Sequence, residues 1–163
     1  MPSMGVGVAL IRINPDSGET EFLVGQRSHN SKRGAGVHAM PGGVIEPGEG
    51  IQAAAARELY EETGIEICFL KGKEYQQNVY GVTDHRPRED HLTFWVVALA
   101  PPDQEPRVME PEKQLDWRWT TMSVFFGTIP QEGEQVHWSN FETWNRILTL
   151  ARRDLNNGII YLG

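Results

Sequence analysis

The chain carries a single cysteine, Cys68, among 163 residues. A lone thiol closes no internal disulfide and supplies no cysteine-rich zinc site, and its place in the apolar run 65–70 marks it as a buried, inert side chain. Long hydrophobic stretches are also missing. No segment approaches the roughly 20 apolar residues of a membrane helix, and Met1-Pro2-Ser3-Met4-Gly5 lacks the basic-then-apolar order of a secretion signal. The expectation is a cytoplasmic chain with no membrane partner. Positive charge is scarce: 15 Lys plus Arg against 22 Asp plus Glu leave a net charge of -7, which opposes binding to polymeric nucleic acid. A small phosphorylated ligand stays open, because a divalent cation on clustered carboxylates reverses the local sign.

What is present, 39% hydrophobic and 23% charged residues, suits one globular domain over 1–163. Residues 4–13 are apolar and β-branched and lead into the turn signal Asn14-Pro15-Asp16-Ser17-Gly18; 21–27 resumes a strand pattern, and 28–36 is a polar loop. Segment 51–63 holds four consecutive alanines among good helix formers and stops at Gly64, which predicts the clearest helix. Further strands are expected at 65–70, 76–82, 92–100 and 117–120, with a loop over 83–91 and an extended, proline-bearing connection over 101–113. Ser139 and Glu142 have capping-box spacing, and Phe141, Trp144, Leu148 and Ala151 follow at helical intervals, predicting a final amphipathic helix. The pattern gives an α/β class.

Within the clearest helix, Glu58, Glu61 and Glu62 fall three and four residues apart and share one face. Three like charges there repel one another. The arrangement reads either as a solvated acidic face or as a site for a hard cation such as Mg²⁺, which prefers oxygen ligands and brings substrate phosphates into its shell. No G-x₄-G-K-[ST] or H-E-x-x-H occurs, and His38, His85, His91 and His137 show no metal-ligand spacing. Outside the helix, Arg27 is either a phosphate partner or half of a surface ion pair, and Glu110 or Glu112 could orient water.

Gly43, Glu49, Arg57, Glu58, Leu59, Glu61, Glu62, Gly64 and Ile65 stand as G-x₅-E-x₇-R-E-U-x-E-E-x-G-U, with U aliphatic. A chance match in a chain of this length is on the order of one in ten million. The pattern, spanning 43–65, resembles the Nudix box. That resemblance implies an α/β/α sandwich with a mixed β-sheet between helices. It implies Mg²⁺, with Mn²⁺ as substitute, on Glu58, Glu61 and Glu62, and Arg57 bracing them by pairing with Glu49. Gly42 and Gly43 would form a tight loop whose carbonyl, at Gly42, joins the metal shell. The implied reaction is hydrolysis of a nucleoside diphosphate linked to another group.

The stretches Gly5-Val6-Gly7-Val8, Gly34-Ala35-Gly36 before Met40-Pro41-Gly42-Gly43, and Glu110-Pro111-Glu112-Lys113 before Trp117-Arg118-Trp119 are similar to the MutT-like group. Within that group they resemble the diphosphatases of thiopurine and oxidised purine nucleoside triphosphates. The likeness implies a purine or modified purine triphosphate cleaved to monophosphate and pyrophosphate, Met40 and Phe94 beside the base, and a homodimer. By pattern alone Met40 and Phe94 read as core. The proline that marks ADP-ribose types is absent from Val79-Tyr80-Gly81-Val82. Two alternatives remain: cleavage of a nucleotide sugar or dinucleotide by the same chemistry, and a nucleotide-sensing module without turnover.

Overall fold

The computed structural model describes residues 3–32, 34–67, 77–86, 89–128 and 141–157. One side chain sets its first hairpin. Asn14 Oδ1 accepts the N–H groups of Asp16 at 2.8 Å and Ser17 at 3.0 Å, and Gly18 closes the turn at φ 72°, a conformation that other residues adopt at a cost. Strand β1 (Ser3–Ile13) thereby returns as β2 (Thr20–Gln26), pairing Ile11 with Phe22 and Ile13 with Thr20.

Two short strands, β3 (His38–Ala39) and β4 (Gly42–Val44), precede helix α1 (Ile51–Thr63). After it come β5 (Gln77–Arg86), β6 (Glu89–Leu99), β7 (Arg118–Thr121), α2 (Met122–Thr128) and α3 (Phe141–Asn156). The strands form one sheet in the order β3-β2-β1-β6-β5, with β4 added to β1 and β7 to β2. Among the described residues only the β1–β6 pairing is parallel, so the sheet is mixed.

Strand alternation builds a core on each face. Ala9, Ile11, Phe22, Val24, Trp95 and Val97 pack with Trp144, Ile147, Leu148, Ala151 and Leu155 of α3 and with Phe125 of α2. Their neighbours Val8, Leu10, Leu23, Val96 and Ala98 meet Ala54, Ala55 and Leu59 of α1 on the other face. Each large side chain so buried contributes roughly 1.5–3 kcal/mol. The alanines let α1 lie close to the sheet. This is the α/β/α arrangement with a mixed central sheet.

Several expectations are corrected. Residues 65–67 form no strand, although Ile65 and Ile67 are buried; the Gln104 side-chain amide bonds both the N–H and the carbonyl of Glu66, replacing a ladder. The expected loop 83–91 instead belongs largely to the β5–β6 hairpin, whose register runs through Thr83–Leu92 and Asp84–His91. Backbone pairing does not depend on side-chain polarity, and polar residues suit a strand at the sheet edge. Cys68, Ser139, His137 and Trp138 lie outside the described residues.

Candidate active site

Helix α1 ends abruptly. Gly64 takes φ 74° and its N–H bonds the Tyr60 carbonyl at 2.8 Å, which stops the helix just after its acidic turn. Arg57 braces that turn. Its Nε and Nη2 hold the two oxygens of Glu49 at 2.8 and 2.9 Å, Nη2 also reaches the Val44 carbonyl at 3.0 Å, and Nη1 meets Glu58 at 2.8 Å and Glu61 at 3.3 Å. A fork of this kind fixes side-chain direction as well as charge. The Glu49 carboxyl is accordingly held below its ordinary range by Arg57.

Glu62 points the other way, toward the loop before the helix, where its Oε2 accepts the Gly42 N–H at 3.0 Å. Burial pushes its carboxyl up to about 8, with Glu58 and Glu110 adding repulsion. Glu58 is raised too, first by burial, and Glu61 and Glu110 add to it. Gly42 is necessary here because a Cβ would overlap the Val6 backbone carbonyl, and a Cβ at Gly43 would displace the Glu58 carboxylate. Arg27 closes the site: its guanidinium, lowered by burial, feels Glu62 and Glu110, and it donates to Ser31 Oγ at 2.8 Å.

A family model described as the NUDIX domain matches residues 4–141. The chain belongs to the Nudix family. A stretch of 60 residues is 45% identical to an RNA pyrophosphohydrolase of Roseobacter denitrificans, covering 37% of this chain and 32% of that protein. A MutT Nudix hydrolase from Burkholderia pseudomallei matches with a TM-score of 0.57 at 26% identity, over 80% of this chain and 88% of that one. The Nudix domain of Shewanella oneidensis NrtR, complexed with ADP ribose, matches with a TM-score of 0.67 at 18% identity, over 95% and 90%; that second likeness is one of fold. The chain spans less than two thirds of the length of the curated relatives it matches.

The Nudix donor set suits a hard divalent cation, since Glu58 and Glu62 offer oxygens alone and are crowded by like charge that a cation would relieve. The expected trio is not assembled as one shell. Among the described residues no three acidic or histidine side chains converge as they stand, and Glu61 is half-exposed beside Arg57. Mg²⁺ needs fewer protein ligands, usually one or two carboxylates, with water and substrate phosphate completing its shell.

Of the residues expected to bind substrate, the fold brings Arg27, Gly42 and Gly43 to the carboxylates. Gly42 contributes its N–H there. Met40 is buried in the α3-side core, whereas Phe94 is half-buried on β6 at the alternate position shared by Val96 and Ala98, which face α1. The sheet therefore separates Met40 from Phe94. Of the two acids outside the box, Glu110 is half-buried at the site and accepts from Lys113 Nζ at 2.9 Å, while Glu112 is exposed. Trp117, part of the Trp117-Arg118-Trp119 stretch noted in the sequence, makes a contact that the sequence did not show: its Nε1 donates to the Glu62 carbonyl at 3.0 Å.

Proposed function

We propose that this Nudix chain is a metal-dependent nucleotide pyrophosphohydrolase whose substrate is a purine or modified purine nucleoside triphosphate, cleaved to monophosphate and pyrophosphate. The observation that carries this reading is the buried Glu62 carboxyl, anchored by the Gly42 N–H and faced by Glu58, Glu110 and Arg27. Two crowded carboxylates beside one guanidinium, with Glu110 at their edge, suit a divalent cation and a phosphate together. Mg²⁺, or Mn²⁺ in its place, would be held by Glu58 and Glu62 and supplies phosphate neutralisation and a lowered pKa for the attacking water.

The chain's own groups do the rest. Arg27 binds a substrate phosphate oxygen. The Gly42 N–H fixes the Glu62 rotamer, and Arg57 holds Glu58 at the correct height on the helix. Glu110 accepts the proton of the attacking water, from outside the box and at the edge of the cluster.

The base reading rests on the α3-facing side of β6. Thr93 Oγ1, Trp95 Nε1 and Trp144 Nε1 are buried and have no hydrogen-bond partner among the described residues. Each such orphan costs about 1–3 kcal/mol, a cost that a ligand bearing acceptors removes, and purines present acceptors such as N7. Gly42 and Trp95 both neighbour Gly7, on opposite sides of β1, so two strand spacings, about 10 Å, separate them. One ribose phosphate bridges such a gap. Met40 sits on the same face and belongs to this reading; Phe94 does not.

The test is a screen with Mg²⁺ of nucleoside triphosphates, ADP-ribose, a dinucleotide and a 5′-triphosphorylated RNA oligomer, reading monophosphate, pyrophosphate and phosphate by chromatography. Purine triphosphates are expected to give monophosphate and pyrophosphate. Orthophosphate as the first product overturns the proposal, as does preference for ADP-ribose, the dinucleotide or the RNA. Tight binding of every compound without turnover makes the chain a sensing module.

A further inference from the structure

The last carbonyls of any α-helix lack partners within it, and in α1 those of Glu62 and Thr63 find theirs on the segment 107–117. The Thr63 carbonyl accepts the Arg107 N–H at 2.8 Å. The Glu62 carbonyl accepts two donors, the Met109 N–H at 3.3 Å and the Trp117 indole Nε1 at 3.0 Å. The same segment is also tied to the residues on either side of Arg27, just past β2: Ser28 N–H bonds the Lys113 carbonyl and Leu115 N–H bonds the Gln26 carbonyl, both at 2.8 Å. Glu110 lies between these two sets of bonds.

We propose that Trp117 is a positioning residue for the metal-binding end of α1, its indole N–H fixing the Glu62 backbone and thereby the spacing of Glu62, Glu110 and Arg27. The proposal rests on the reading of Glu62 as a metal ligand. Glu62 is held at both ends, its carboxylate by Gly42 and its carbonyl chiefly by Trp117, because the Met109 bond is long. An indole has only two side-chain torsions and packs against the α1-side core, so it acts as a stiff strut between the start of β7 and the helix. Without the N–H, the Glu62 carbonyl keeps only the 3.3 Å bond to Met109, and the carboxylate of that residue loses its register with Glu110.

Trp119 provides a matched control. It packs against the same core and its Nε1 donates to Glu105 Oε2 at 3.3 Å, away from the carboxylates. Trp117→Phe and Trp119→Phe therefore remove the same group from neighbouring positions. Calorimetric titration with Mn²⁺ alone should show binding weakened about tenfold in Trp117→Phe and less than twofold in Trp119→Phe. The Mg²⁺ midpoint of turnover should rise in parallel, with the nucleotide KM at saturating metal unchanged. If Trp117→Phe does not fold, 3-benzothienylalanine at position 117 keeps the shape and removes only the N–H. Wild-type Mn²⁺ affinity in a folded protein lacking that N–H overturns the proposal. Glu62→Gln separates the two failures: if it too binds Mn²⁺ and turns over normally, the metal reading itself is wrong, whereas loss in Glu62→Gln alone removes only the role of Trp117.

Discussion

The Gly42 N–H and Glu62 Oε2 meet at 3.0 Å across 20 residues of chain, joining the glycine loop to the end of α1. Replacing Glu62 by Gln keeps the shape and an acceptor oxygen but removes one negative charge. A solvated helix face would tolerate this change and even gain from reduced repulsion. If Glu62 holds the metal, turnover should fall at least about a hundredfold while circular dichroism stays that of the wild type, since glutamine is a good helix former. Glu19→Gln, in the exposed turn before β2, is the control and should leave the rate unchanged. Near-normal turnover of a folded Glu62→Gln would remove the box as the catalytic site.

The same carboxyl sets a pH dependence of stability. Its folded value of about 8 exceeds the ordinary 4.5, so between these values the folded chain binds more protons than the unfolded one. The stability that Glu62 contributes is complete below about pH 4.5 and is lost as pH rises through 8. Melting of the metal-free protein against melting of Glu62→Gln, from pH 5 to 8.5, isolates this group: the wild type should lose ground to the variant as pH rises. A constant difference across that range would contradict the buried, protonated carboxyl.

Helix α1 and its acidic turn were readable because propensity, the Gly64 stop and the three- and four-residue spacing agree. The α/β class was readable for a similar reason, since β1 and β2 are apolar, β-branched runs on either side of an Asn–Pro–Asp–Ser–Gly turn. The β5–β6 hairpin was less so, because polar residues at a sheet edge keep their ladder without showing an apolar pattern. Ile65 and Ile67 alternate like a strand, yet the partner of the intervening backbone is a distant glutamine side chain. Phe94 and Trp95 lie in a strand apolar on both faces, where period two shows that they part but not which one faces α1. The choice of Glu110 over Glu112 depends on where 107–117 is tied, which is long-range information.

Arg57 tests how far the brace matters. Lysine keeps the charge but offers a point donor where the guanidinium now spans both Glu49 oxygens, Val44 and Glu58. Arg57→Lys should cost about 1–2 kcal/mol of stability and lower kcat about tenfold, with the Mg²⁺ midpoint raised. Thermal melts and a metal titration read both effects. Unchanged kcat with reduced stability would confine Arg57 to holding the fold.

Thr93 separates a base-binding role from a packing one by the sign of two effects. Its hydroxyl is buried on the α3-facing side of β6, paired in register with Gly5, and has no partner among the described residues. Thr93→Val replaces it with a methyl of the same shape. For the folded chain this removes an unsatisfied polar group, so stability should rise, by up to about 1–2 kcal/mol. A hydroxyl that serves only the fold would therefore give a more stable enzyme of equal activity. If it bonds the base instead, kcat/KM for purine triphosphates should fall about fivefold to tenfold, while Mn²⁺ affinity, set on the other side of β1 by Glu58 and Glu62, stays unchanged. Melting, Mn²⁺ calorimetry and initial rates on a purine and a pyrimidine triphosphate read the three quantities in one protein. A gain in stability with no loss of kcat/KM on any nucleotide would move the base away from β6, and a parallel loss of metal affinity would show that the substitution had disturbed β1 itself.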